Sequence, residues 1–106
     1  MSLPVLLEER LRLPLVAAPM FLVSNPALVA ACCSSGVVGS FPALNQRESS
    51  GFRDWLQEID QHLSGAHKPA PYAVNLIVHH SNPRLQADLS ICVEQRVPIV
   101  ITSLAP

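Results

Sequence analysis

The sequence predicts an α/β fold of parallel strands alternating with helices, and three observations predict it. Apolar residues make up 49% of the chain but aromatic ones only 5%, the mixture expected of interleaved strands and packed helices. Short Val/Leu/Ile/Ala runs are bounded by Gly, Pro and Asn, and the order strand, Ser-Asn-Pro, helix, strand occurs twice, each unit about the size of a βαβ crossover. With 106 residues there is material for one core, not two. Four strands with intervening helices suit half of an eight-stranded barrel or most of a doubly wound sheet, and pattern alone does not choose.

Residues 15–20, Leu-Val-Ala-Ala-Pro-Met, are the first predicted strand, a continuous apolar run expected to be covered on both faces. Ser24-Asn25-Pro26 places an N-cap before a proline suited to a first helical turn, and Gly36 stands where a C′ glycine ends a helix. The first predicted helix is therefore 25–35, apolar all round over 27–33 and so buried. Residues 37–41 read as the second strand and 42–47 as a loop. From 50 to 64, Phe52, Trp55, Leu56, Ile59 and Leu63 share one helical face while Arg53, Asp54, Glu58 and Asp60 take the other. After a connection at 65–71, residues 72–78 form the third strand, with Asn75 as its polar exception. Ser81-Asn82-Pro83 again caps a helix, with Leu85, Leu89, Cys92 and Val93 as its inward stripe, and 97–103 is the fourth strand with Pro98 near its start.

A formal net charge of −1 without a Lys/Arg cluster gives no footprint for nucleic acid or an anionic membrane surface. No apolar stretch approaches the ~20 residues that span a bilayer, and the N-terminal run is too short for a signal peptide, so a cytoplasmic location is expected. Cys32, Cys33 and Cys92 are odd in number and lack metal-site spacing; they read as reduced, mostly buried small hydrophobes, with no metal. Walker, GxGxxG and GxSxG motifs are absent, against triphosphate and serine-hydrolase chemistry.

In either architecture ligands bind beyond the carboxyl ends of the strands. There stand Ala18-Pro19-Met20, Gly39-Ser40-Phe41, Asn75 with His79 and His80, and Thr102-Ser103, a set suited to a planar ligand held largely by main-chain groups. A buried amide needs partners, so Asn75 implies either a ligand edge or a hydrogen bond to a neighbouring loop carbonyl. An imidazole at His79 or His80 can act as a general base or hold an anion; the competing reading is a solvated or capping side chain.

The runs Leu13 to Met20, Ser24 to Ala31 and Ser35 to Ser40, with Tyr72-Ala73-Val74-Asn75-Leu76, resemble the opening of the nitronate monooxygenases, formerly 2-nitropropane dioxygenases, and the matches span nearly the whole chain. The resemblance implies a partial (β/α)₈ TIM barrel, parallel strands one to four with intervening helices. It implies non-covalent FMN at the carboxyl end and oxidation of alkyl nitronates by O₂ to a carbonyl compound and nitrite. Carried over by position, Ala18, Pro19 and Met20 lie against the flavin through their backbone and Asn75 hydrogen-bonds it. Gly39 allows close approach to the ring, and Ser103 lines the same mouth. No catalytic base is assigned, His80 being the candidate within this chain. Gly36-Val37, where relatives carry Gly-Gly, and Phe21 after Ala-Pro-Met depart from the pattern and point to a subgroup with a different substrate.

Residues 1–106 thus read as the N-terminal half of such a barrel, either the product of a longer gene or a half that associates through open sheet edges, truncation being the favoured account. Two other functions fit the same features. One is an NAD(P)H-dependent quinone or enoyl-thioester reductase of the same fold. The other is a non-catalytic remnant that self-associates.

Overall fold

Asn25 opens the first long helix as its sequence demands. Its side chain accepts a hydrogen bond from Leu28 N at 2.9 Å, and Pro26, which has no N–H to satisfy, takes the first turn. In the computed structural model, which describes residues 3–104, a short helix α1 (Val5–Glu8) precedes it, an element the sequence reading left out. The long helix is α2 (Pro26–Ser34), ended by Gly36 at φ +91°. A side chain at Gly36 would be strained there and would collide with Arg12. Then follow β1 (Ser40–Pro42), a 3₁₀ turn (Ala43–Asn45), α3 (Ser49–Ser64), β2 (Ala73–Ile77), α4 (Leu85–Glu94) and β3 (Ile99–Ser103).

Among the described residues the three strands are parallel and ordered β1-β2-β3. Register places Ser40 beside Ala73, and Val74 beside Phe41 and Val100. Since side chains alternate between faces, Phe41, Val74 and Leu76 point to one side. There they join Val29 and Cys33 of α2, Phe52, Leu56 and Ile59 of α3, and Ile91 and Cys92 of α4 in a single core. Each fully buried Phe, Leu or Ile contributes roughly 1.5–3 kcal/mol. Trp55 packs against this core and meets Phe41 edge-on at 5.6 Å. All the long helices therefore cover one face of a sequentially ordered parallel sheet. A doubly wound sheet would carry helices on both faces, so the alternative left open by the pattern resolves toward the barrel.

Three expectations need correction. The first predicted strand, 15–20, is reduced to one parallel bridge between Val16 and Val38. It is not covered on both faces: Leu15 and Val16 are each 55% exposed. The segment lies at the sheet edge and cannot donate at Pro19, so the ladder stops after Ala17 N bonds Val38 O. The second strand pairs with β2 only over Ser40–Pro42, which takes in Pro42, read as loop from the sequence. Finally, α4 starts two residues beyond Pro83, and its inward stripe is Leu85, Asp88, Ile91 and Cys92; Leu89 and Val93 are exposed. Apolar periodicity misplaced this face because the residue drawn inward is charged.

The cysteines are free, Cys33 and Cys92 buried and Cys32 half-buried, matching their reading as small hydrophobes. Burial pushes the Cys33 thiol up and raises Cys92 to about 11, Asp88 adding to the latter. Among the described residues no helix is long and apolar enough to cross a membrane.

Candidate functional site

The parallel strands present their carboxyl ends on one rim, and a polar scaffold holds the loops there. Ser40 Oγ donates to Ala17 O, tying the first segment to β1. Beyond it the chain turns back on itself: Met20 N donates to Ser24 Oγ at 2.8 Å, and Ser24 N to Met20 O at 3.0 Å. Asn45, just past β1, clamps this turn by accepting from Leu22 N and donating to Met20 O and Ser24 O. Met20 O is held by Asn45, three residues past Pro42 of β1, and Pro42 pairs with Asn75. Met20 and Asn75 therefore lie at the same end of the sheet.

On the inner face, opposite the helices, Asn75 Nδ2 donates to Ile101 O at 2.9 Å and to Ser103 Oγ at 3.0 Å. Only the amide nitrogen can donate to a carbonyl, which fixes the orientation of the side chain. The partner is a carbonyl of the neighbouring strand, where the sequence suggested a loop carbonyl or a ligand. The Asn75 donor is satisfied within the sheet, while no donor among the described residues meets Oδ1. The main-chain N–H and C=O of Ala18 likewise have no partner among the described residues, nor has the carbonyl of Pro19. Ala18 is exposed, so its free main-chain groups are open to solvent, and Asn75 is half-buried.

Two of the predicted contacts take a different form. Met20 has its N–H and C=O consumed by its own turn, leaving its part-exposed side chain as the group free to touch a ligand. Gly39 serves the opposite face: a Cβ there would lie 2.5 Å from Val29 O and 2.9 Å from Val29 Cα. Glycine is required there so that α2 can press on the sheet.

His79 and His80 stack at 4.1 Å between ring centroids. Ser81 N donates to His79 Nδ1 at 3.1 Å, so in the neutral ring the proton sits on Nε2. Both rings border a cleft of about 630 Å³ with Asn82, Leu85 and Leu104. A second cleft, of about 440 Å³, lies between the loops after β1 and β2 and is bordered by Leu44, Arg47, Ile77, Ser81 and Leu104. Ala18, Asn75 and Ser103 line neither cleft and stand on the open inner face.

The sequence reading missed what locks these loops. Asp88, 1% exposed, receives a hydrogen bond from Ser49 Oγ at 2.8 Å and lies 3.0 Å from Arg84 Nη2. Arg84 in turn donates Nη1 to Gln46 O and Nη2 to Ala43 O. Asn82 Nδ2 donates to Ile77 O while its Oδ1 accepts from Arg84 N. Arg84 and Asp88 are spaced i, i+4, the one signal that could have exposed the pair.

No protein-family model matches the chain, and no curated protein does. Among solved structures, FabK from Thermotoga maritima is similar over 92% of this chain with a TM-score of 0.75 and 25% identity. The fold is part of a TIM barrel. A mutant of the same FabK gives 24% identity, 94% coverage and the same TM-score. The chain spans only 28% and 31% of the length of those two structures.

Proposed function

We propose that this chain is the opening portion of an FMN-dependent oxidoreductase barrel, whose rim holds the polar edge of the flavin through Ala18, Asn75 and Ser103. The observation that carries this reading is the amide of Asn75 at the carboxyl end of β2, held by Ile101 O and Ser103 Oγ with no donor to its Oδ1 among the described residues. The flavin, when bound, supplies the electron transfer. The chain's own part is to bind and orient it. Asn75, pinned by Ile101 O and Ser103 Oγ, presents its carbonyl oxygen without a rotamer search.

As the substrate we propose an alkyl nitronate oxidised with O₂, on the resemblance of the Ala-Pro-Met, Ser-Asn-Pro and Val-Asn-Leu segments. A second reading, an enoyl-thioester reductase using NAD(P)H, is supported by the likeness to FabK. Reduction of bound flavin without oxygen, by NADH or by a nitronate, separates the two. The test of the flavin site itself is retention of FMN, followed by quenching of its fluorescence. Asn75→Ala is expected to weaken binding by ~1–3 kcal/mol. Unchanged affinity in that variant, or a colourless wild-type protein running as a large oligomer, overturns the reading.

A further inference from the structure

Arg47 is the one arginine at the carboxyl rim whose guanidinium has no ion pair or hydrogen bond among the described residues; Arg84 is bound to Asp88, Ala43 O and Gln46 O, and Arg53 to Glu94. It follows the 3₁₀ turn after β1 and borders the 440 Å³ cleft, which Leu44, Ile77 and Leu104 also line. The two walls of that cleft are fixed to each other. Arg84, from the loop after β2, grips two carbonyls of the loop after β1, and is itself held by Asp88, which Ser49 also bonds. A cation beside an apolar lining, in a cleft that need not reorganise on binding, is the arrangement that recognises an amphiphilic anion.

We propose that this cleft binds a small organic anion with an apolar body, Arg47 pairing its charged head and Leu44, Ile77 and Leu104 receiving its chain. A guanidinium fork suits planar anions such as a carboxylate or a nitronate. The cleft is lined by none of the residues proposed to hold the flavin, so it is a separate site and needs no flavin to be tested.

The probe is octanoate, with octan-1-ol as its neutral counterpart, titrated calorimetrically into the wild-type chain and into Arg47→Gln and Arg47→Lys. Octanoate is expected to bind saturably, about tenfold more weakly in Arg47→Gln and with an intermediate loss in Arg47→Lys, and more weakly at high salt. Octan-1-ol binding is expected to be the same in all three proteins. Equal affinity for acid and alcohol, no change in Arg47→Gln, or no octanoate binding at millimolar concentration overturns the proposal. Unfolding midpoints of the variants matching wild type exclude a folding defect. FMN fluorescence measured in parallel keeps a failed flavin site distinct from a failed anion site.

Discussion

The tripeptide Ser-Asn-Pro occurs twice, at 24–26 and at 81–83, and the two copies do different work. In the first, Asn25 caps α2 and Pro26 begins it. In the second, Asn82 spends its amide on Ile77 O and Arg84 N, Pro83 stays outside the helix, and α4 opens at Leu85 behind an Arg84 that offers no side-chain cap. Local chemistry is the same in both. What differs is the neighbourhood: Arg84 and Asp88 find buried partners on the loop after β1 and on α3, and satisfying them outweighs a helical turn that starts two residues sooner. A capping signal proposes a helix start, and tertiary hydrogen bonds dispose of it.

That contrast is broken hardest at Asp88. Asp88→Ala leaves the largely buried Arg84 guanidinium without its counter-charge and is expected to destabilise the chain by about 3–5 kcal/mol in urea unfolding. A loss below about 1 kcal/mol would show that the pair does not hold the second unit together.

Raising the pH probes the same helix one turn on. Cys92 is raised to about 11 from its ordinary 9.0, so the unfolded chain gives up this proton first. Stability is then complete below pH 9 and is lost as the pH climbs toward 11, by about 2–3 kcal/mol from this thiol. Cys33 on α2 and Tyr72 before β2, both raised chiefly by burial, add in the same direction. Thermal midpoints recorded from pH 8 to 11 are expected to fall, and to fall less in Cys92→Ala; a flat profile would contradict the burial of these groups.

The smallest effect sharpens the comparison most directly. Asn25→Ala should cost about 1 kcal/mol and reduce helical circular dichroism, since it removes a true cap. Asn82→Ala should destabilise the loop while leaving helix content unchanged. Equal helix loss in both variants would mean that the two tripeptides act alike after all.

Much of the fold was legible. The amphipathic stripe of Phe52, Leu56 and Ile59 fell where α3 buries it, and the strand around Asn75 was placed to within a residue at each end. The site was half legible. Strand ends pointed to Ala18, Asn75 and Ser103, and the structure joins Asn75 to Ser103 at 3.0 Å. Nothing local marked Asn45 as the clamp on the Met20–Ser24 turn, because its partners lie more than 20 residues away.

The sequence by itself determined the alternation of parallel strands and helices, the α2 cap at Asn25 and the apolar faces, all of which depend on neighbours within one or two turns of chain. Only the tertiary structure decided that the helices share one face, that Asp88 and not Leu89 turns inward, and that Gly39 serves helix packing. Those outcomes rest on contacts between segments distant in sequence. There the desolvation of a single charge or the collision of a single Cβ outweighs local preference.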